Sequence, residues 1–199
     1  MSDSQYFEES PTVPTAPVEI DVRVSDLSFV LRTDRGVFSH GSLDDGTRLL
    51  IEQSPRLPEH GTFLDLGCGA GPIALALALR RPAATVWAVD INERARSLTR
   101  LNADRAGIAN LRVVAPDDVP ADVRFDIIWS NPPIRIGKEA LHLLLRTWLS
   151  RLLPGGRAVL VVHKHLGSDS LAKWLTAQGW TVERLTSRSG YRLLVIAQP

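Results

Sequence analysis

The apolar residues near the start of the chain alternate with polar ones and then change to a helical spacing. The alternating positions are Ile20, Val22, Val24, Leu27, Phe29 and Leu31. Ser25 and Asp26 interrupt this period of two, which predicts a β-hairpin with a turn at these residues. Asp45-Gly46-Thr47 then precedes the apolar positions 49–51, which predicts a short helix with a capped start.

From residue 62 onward, short apolar runs alternate with longer amphipathic segments. The runs predict strands over residues 63–66, 85–89, 111–114, 125–129, 158–162, 180–185 and 191–197. The segments between them predict helices over residues 72–81, 92–106, 138–153 and 168–178. Pro72 suits a first turn, Asn92 suits a cap, and Pro154-Gly155-Gly156 is expected to end the third of these helices. A short Ser-Gly loop joins the last two strands, so we expect them to be antiparallel.

Alternation of strands and helices indicates a doubly wound, seven-stranded and mostly parallel α/β sheet, here with an N-terminal β-hairpin extension. Residues 1–19 contain Pro11, Pro14 and Pro17, four acidic residues and no basic one. Proline blocks both helix and sheet pairing, so we expect a flexible tail over these residues. Residues 20–199 are then expected to form one domain.

Composition excludes several classes of protein. The 199 residues are 44% hydrophobic and 23% charged, the balance of a globular protein rather than a disordered one. The longest apolar run, residues 73–79, is far shorter than the roughly 20 residues that a membrane span needs. No basic and apolar leader opens the chain, and Cys68 is its one cysteine. We therefore expect a reducing cytoplasm, no metal site, no membrane contact and, without an exposed apolar stripe, a monomer.

Charge is distributed unevenly along the chain. From residue 134 to the end there are ten Lys or Arg against three Asp or Glu, a balance of +7, although the whole chain carries only +1. A basic half of a protein suggests a polyanionic partner. Scattered solvated charge explains the same numbers equally well.

A glycine-rich turn follows the first strand of the α/β unit, in the sequence Asp65-Leu66-Gly67-Cys68-Gly69-Ala70-Gly71-Pro72. In doubly wound sheets this crevice is the ligand site, and the helix after it offers free N–H groups. A dinucleotide fingerprint needs glycine where Pro72 stands, which disfavours a nicotinamide oxidoreductase. The spacing instead resembles motif I of the class I S-adenosylmethionine-dependent methyltransferases.

Two further acidic positions follow the next two strands. Asp90 ends the second strand, where a carboxylate can accept two hydrogen bonds from a ribose diol. Ile91 would then lie against the adenine. The resemblance also implies an acid after the third strand that accepts from the adenine amino group; we take Asp117 for this role, with Asp118 as the alternative, and a solvated turn explains either residue nearly as well.

The fourth strand leads into Ser130-Asn131-Pro132-Pro133-Ile134. This sequence looks like motif IV of methyltransferases that modify planar amino nitrogens. Such an amine is a poor nucleophile, because its lone pair is delocalised. The side-chain oxygen of Asn131 and the carbonyl of Pro132 can each accept one of its N–H bonds, while the prolines fix the backbone. Proximity and preorganised acceptors then carry the reaction without a strong base.

Further stretches are similar to ribosomal RNA guanine-N2 methyltransferases of the RsmC type, and to their compact, single-domain members. They are 36–39 and 43–50 before motif I, 131–139 around motif IV, and 189–194 at the closing strand. Many proteins with Asn-Pro-Pro have an aromatic residue where this chain has Ile134. Stacking on the target base is therefore assigned to Phe38.

The resemblance implies a role for each matching residue. Cofactor contacts are expected from Phe38, Ser39, Thr47, Asp65, Gly67, Cys68, Gly69, Gly71, Asp90, Ile91, Asp117 and Asn131. Catalysis is expected from Asn131, Pro132 and Pro133. Substrate contacts are expected from Phe38, Ile134, Arg135 and Lys138, the last two with RNA phosphates or, alternatively, as a solvated helix start.

The sequence thus predicts a methyltransferase that uses S-adenosylmethionine to modify an exocyclic amine, that of guanine in ribosomal RNA or in the small ribosomal subunit. Two alternatives stay open. One is methylation of a small molecule or a protein side chain. The other is a non-catalytic domain that keeps the fold and binds RNA.

Overall fold

The alternation of strands and helices is present in the structure, a computed structural model that describes residues 13–37 and 41–199. The strands in these ranges are β1 (Val18–Val24), β2 (Leu27–Thr33), β3 (Thr62–Leu66), β4 (Thr85–Val89), β5 (Leu111–Val114), β6 (Phe125–Ser130), β7 (Leu152–His163), β8 (Thr181–Arg188) and β9 (Tyr191–Ala197). The α-helices there are α1 (Asp45–Gln53), α2 (Pro72–Arg80), α3 (Glu93–Arg105), α4 (Lys138–Leu149) and α5 (Ser168–Ala177).

The described strands from β3 onward form one seven-stranded sheet in the order β5-β4-β3-β6-β7-β9-β8. Pairing is parallel from β5 through β7, and β9 is antiparallel to both of its neighbours. Strands β1 and β2 pair separately as an antiparallel hairpin. The predicted fold class, including the antiparallel closing strand and the N-terminal hairpin, is confirmed.

Helices cover both faces of the sheet. Helices α1, α2 and α3 pack with the hairpin on the face that receives Phe63, while α4 and α5 pack on the face that receives Leu64 and Leu66. Alternate residues of β3 therefore enter opposite cores, because successive side chains of a strand point to opposite faces. Residues 73–78 of α2 are all buried, which explains why this helix is apolar on nearly every side.

A buried asparagine joins the hairpin to the central sheet. The side-chain oxygen of Asn102 accepts a hydrogen bond from the backbone N–H of Arg32 (2.8 Å). Its amide nitrogen donates to the carbonyls of Arg32 (2.9 Å) and Ala70 (2.8 Å). One fully buried side chain thus holds β2, α3 and the glycine-rich turn together.

The junction between α4 and β7 differs from the prediction. Helix α4 ends at Leu149, and β7 already begins at Leu152, which pairs with Phe125 of β6. Pro154-Gly155-Gly156 therefore forms an irregularity inside β7 rather than a helix stop. A side chain at Gly156 would lie 2.9 Å from the carbonyl oxygens of Leu153 and Phe125, so the close approach of the strands requires glycine there.

Other boundaries follow local capping chemistry. Asn92 caps α3 and Pro72 opens α2, both as predicted. Helix α1 begins at Asp45, and its cap is Asp44, whose carboxylate accepts from the N–H of Thr47. Strand β1 starts at Val18, inside residues 1–19, the segment expected to be a tail. The mobility of that segment stays a prediction. In the described part of the chain, no helix is both long and apolar enough to cross a membrane.

We expect Asn102→Ala to lower the free energy of unfolding by about 3 kcal/mol, because buried backbone groups of Arg32 and Ala70 lose their partners. Urea unfolding measures the effect. Ser97→Ala, at an exposed position of the same helix, is the control and should change stability by less than about 0.5 kcal/mol. Equal stability of the two variants would contradict this account of Asn102.

Candidate active site

The candidate site lies at the carboxyl ends of β3 and β6, the two neighbouring strands between which the strand order reverses. These strands are parallel neighbours, with Asp65 paired to Trp129. The hydroxyl of Ser130 donates to the carbonyl of Leu66 (2.7 Å) in a buried hydrogen bond. The glycine-rich turn after β3 and Asn131 after β6 therefore leave the sheet side by side, at the point where ligands bind in such folds.

Backbone hydrogen bonds shape the glycine-rich turn. The N–H groups of Gly67 and Cys68 both donate to the carbonyl of Val89, at 2.8 and 3.1 Å. Gly67 has a φ of 77°, and a side chain added there would meet nothing within 4 Å. The bare backbone at Gly67 thus borders open space, as a cradle for a ligand requires.

Gly71 is glycine for a different reason. Its φ is 90°, and an added Cβ would lie 2.8 Å from Cγ2 of Thr99. The hydroxyl of Thr99 also donates to the carbonyl of Gly69 (2.9 Å). Gly71 therefore lets α3 pack closely against the turn. Cys68 is buried, and burial raises the pKa of its thiol well above the usual value, so the thiol stays protonated.

Asp65 lies beneath the turn with no exposed surface. Its Oδ2 accepts from the N–H of Ala74 (2.9 Å), so the side chain caps α2 from a distance. Oδ1 has no hydrogen-bond partner among the described residues. Burial raises the pKa of this carboxyl well above its usual range, and the negative charge of Asp90 adds to the effect.

Asp90 connects the end of β4 to the turn. Its two carboxylate oxygens accept from the N–H groups of Gly69 and Asn92, each at 2.9 Å. Burial raises the pKa of Asp90, although these two hydrogen bonds oppose the rise. A carboxylate has about four lone-pair directions, so further donors can still bind. The next side chain, Ile91, is 49% exposed and offers an apolar surface beside the carboxylate.

The acid after β5 lies in a 3-10 turn, Pro116–Asp118. Asp117 and Asp118 are both exposed there, so the two alternatives stay open. Phe38 and Ser39 lie outside the described residues. Val37, next to them in the chain, is buried, with its Cγ1 3.9 Å from where a Cβ of Gly69 would be.

Asn131 is held by its amide nitrogen. That nitrogen donates to Oδ2 of Asp44 (2.9 Å) and to the hydroxyl oxygen of Thr47 (3.1 Å). The carbonyl of Pro132 accepts from the N–H of Ile134 (2.8 Å), which closes an inverse γ-turn centred on Pro133 with φ −73° and ψ 75°. The second lone pair of that carbonyl is available to another donor.

Two residues of this network were missed by the sequence analysis. Asp44 accepts from Asn131 through Oδ2, and its Oδ1 accepts from the hydroxyl of Tyr191 (3.0 Å). The sequence pattern indicated a capped start at residues 45–47, one position later than the actual cap, and nothing in it links Asp44 to residues 131 and 191. Thr47, expected at the cofactor, is buried, and its hydroxyl contacts Asn131.

The expected substrate residues follow Asn131 on the surface. Ile134 is half-buried and packs on the core beside α4, whereas Arg135 and Lys138 are exposed. Among the described residues, no three His, Cys, Asp or Glu side chains cluster as metal ligands. Arg135 and Lys138 therefore lie at the surface within seven residues of Asn131 in the chain.

Comparison with known proteins places this site in a family. Residues 28–195 match the methyltransferase small domain. The protein YbxB of Bacillus subtilis is 33% identical over 192 residues, which cover 95% of this chain and 96% of YbxB. Ribosomal RNA small subunit methyltransferase C of Shewanella halifaxensis is 36% identical over 154 residues, covering 74% of this chain and 44% of that one.

Solved structures show the same fold. The 16S rRNA N2 methyltransferase RsmC of T. thermophilus, in complex with AdoMet and guanosine, has a TM-score of 0.75 at 22% identity, over 95% of this chain and 52% of that one. Ribosomal protein L11 methylase of Lactobacillus delbrueckii has a TM-score of 0.64 at 24% identity, over 77% and 76%. This chain spans half or less of the length of the methyltransferase C relatives that it matches.

These matches confirm the resemblance to RsmC-type enzymes that motifs I and IV indicated. The geometry of the glycine-rich turn agrees with this resemblance, because the turn has open space at Gly67 and the carboxylate of Asp90 beside it. The chain therefore belongs to the methyltransferase small domain family.

Proposed function

We propose that the protein methylates the exocyclic N2 amine of a guanine in ribosomal RNA. The observation that carries the proposal is the position of Asn131 beside the glycine-rich turn, at neighbouring strand ends. A methyl donor in the turn and an amine on Asn131 would then lie close together. Relatives named ribosomal RNA small subunit methyltransferase C support ribosomal RNA as the substrate class.

The cofactor site fits S-adenosylmethionine in shape and chemistry. The bare backbone at Gly67 offers space for the methionine part, and Oδ1 of the nearby Asp65 has no hydrogen-bond partner in the part of the chain that the structure describes. The remaining lone pairs of Asp90 suit a ribose diol, and the exposed Ile91 suits one face of an adenine. Asp117 remains our choice for the adenine amino group.

Methyl transfer needs the amine nitrogen of the substrate to be aligned with the methyl carbon of the donor. Bound S-adenosylmethionine supplies a methyl group on a positively charged sulfur. The Oδ1 atom of Asn131 and the carbonyl of Pro132 accept the two N–H bonds of the amine, which directs its lone pair at the methyl carbon. Asn131 and Pro132 would thus hold the amine, and the N–H proton that the methylated nitrogen releases would pass to water.

Exposed positive charge near Asn131 suits an RNA substrate. Arg135 and Lys138 follow the Asn-Pro-Pro sequence at the surface. The end of β7 meets the β8–β9 turn where the N–H of Lys164 donates to the carbonyl of Gly190 (2.7 Å), and the Lys164 side chain is exposed. We propose that these cations contact phosphates beside the target nucleotide.

Two alternatives make different predictions. Methylation of a protein side chain is the closer alternative, since ribosomal protein L11 methylase has a similar fold. A non-catalytic RNA-binding domain would bind RNA without transferring label. The cytoplasm as its compartment and the monomeric state belong to the proposal as well.

We expect Asp90→Ala to weaken S-adenosylmethionine binding by about 10- to 100-fold, which corresponds to about 1.5–3 kcal/mol for lost hydrogen bonds to a charged group. Isothermal titration calorimetry measures the affinity. Asp104→Ala removes the same charge from an exposed position of α3 and should bind as the wild type does. Nanomolar binding of NADH, or unchanged binding by Asp90→Ala, would contradict the cofactor assignment.

Cofactor affinity should also depend on pH. The pKa of Asp90 is raised, and its ionised form is the one that accepts ribose hydroxyls, so affinity should fall as the pH decreases through that raised pKa. Calorimetry between pH 7.5 and pH 4.5 tests this. Asp90→Asn should bind more weakly and with a flatter profile. The same slope in Asp90→Asn would assign the titration to another group.

Label from methyl-labelled S-adenosylmethionine should enter ribosomal RNA, and nuclease digestion should yield labelled N2-methylguanosine. Naked RNA, ribosomal subunits and total protein serve as parallel substrates. Asn131→Ala should lower the rate by about 100-fold or more, while cofactor affinity stays within about threefold. Label in protein alone would overturn the RNA assignment, and loss of cofactor binding in Asn131→Ala would make Asn131 structural.

A further inference from the structure

We propose that Asp44 is a positioning residue, which fixes the orientation of the Asn131 amide so that its oxygen, and not its nitrogen, faces the substrate amine. The effect of Asp44 on catalysis rests on the proposed function, whereas its contact with Asn131 does not. Its structural basis is the contact of three distant elements: the cap of α1, the loop after β6 and the start of β9.

A carboxylate decides which way the amide points. An amide has a donor end and an acceptor end that are nearly equal in size, whereas an ionised carboxylate only accepts hydrogen bonds. The 2.9 Å contact with Asp44 therefore requires the nitrogen of Asn131 on that side. Thr47 is a second acceptor for the same nitrogen. Among residues 13–37 and 41–199, nothing hydrogen-bonds to Oδ1 of Asn131, which remains available to a donor.

Asp44 is itself fixed at both oxygens. Oδ2 accepts from the N–H of Thr47 (2.8 Å) as the cap of α1, and Oδ1 accepts from the hydroxyl of Tyr191 (3.0 Å). Burial, together with the negative charge of Asp44, raises the pKa of Tyr191 to about 12. The phenol therefore stays protonated, and donates to Asp44, at any pH suitable for an assay.

Glycine at position 46 makes room for this contact. A side chain there would lie 2.6 Å from Cε1 of Tyr191, so the ring lies against the bare first turn of α1. On its other side, the ring meets His163 edge-on, with the ring centroids 4.9 Å apart. Tyr191 is thereby held between α1 and the end of β7, with its hydroxyl on Asp44.

Loss of the carboxylate would allow the amide to rotate. The flipped amide presents N–H groups to an amine that also carries N–H groups, so donor faces donor and the amine loses its alignment. The main effect should fall on turnover, because the cofactor contacts at Gly67 and Asp90 do not involve Asp44. A purely structural role for Asp44 would instead reduce stability and affinity together.

Asp44→Ser is the informative substitution. Serine caps a helix as well as aspartate, but its one oxygen cannot serve Thr47, Asn131 and Tyr191 together. We expect kcat to fall by about 10- to 100-fold, with KM for RNA and Kd for S-adenosylmethionine within about twofold. Tyr191→Phe should lower kcat by about three- to tenfold. Asp45→Ser, the neighbouring exposed acid, should leave kcat unchanged.

A double variant tests whether Asp44 acts through Asn131. If it does, Asp44→Ser should cause no further loss of kcat in the Asn131→Ala background, since the amide it orients is gone. Full additivity of the two losses, or an equal fall of kcat in Asp45→Ser, would overturn the inference.

A spectroscopic measurement separates this inference from the proposed function. The side-chain NH2 signals of Asn131, assigned by their absence in Asn131→Ala, should shift in a proton–nitrogen correlation spectrum of Asp44→Ser and stay in place in Asp45→Ser. Unchanged signals in Asp44→Ser would overturn the contact. A shift in a protein that labels no RNA would support the contact and overturn the proposed substrate instead.

Discussion

The parallel pairing of β3 with β6 is the constraint on which the site depends. Consecutive parts of the α/β unit build outward from β3 on one side and from β6 on the other, so the two strands meet at the point of reversal. The buried hydrogen bond from Ser130 to Leu66 fixes their ends at the same level. Without this pairing, the glycine-rich turn and Asn131 would be two unrelated loops 60 residues apart in the chain.

The candidate site contains two carboxyl groups whose burial disfavours their charged form. Burial raises the pKa values of both Asp65 and Asp90, and the negative charge of Asp90 raises the pKa of Asp65 further. Polar groups without partners are rare in folded interiors, yet Oδ1 of Asp65 has none among residues 13–37 and 41–199. Such exceptions gather at functional sites.

The alternation of residues in β3 is a local feature, whereas the end of α4 depends on a tertiary contact. Alternation in β3 sends Phe63 to the core with α2 and the hairpin, and Leu64 to the core with α4. That division follows from the period of a strand and is legible in the sequence. The end of α4 could not be predicted from the sequence. Leu152 pairs with Phe125, so Pro154-Gly155-Gly156 lies inside a strand instead of ending the helix.

The order of strands and helices along the chain, the glycine-rich turn and the position of Asn131 after a strand could be predicted, because each is a pattern of neighbouring residues. The contacts between distant residues could not. In the sequence, Asp44 is an acidic residue just before a predicted helix, and Tyr191 is the first residue of a predicted strand. Their contact with Asn131 joins positions 44, 131 and 191. It exists only once the sheet brings three strand and helix ends to one edge, and no local pattern records such a distance.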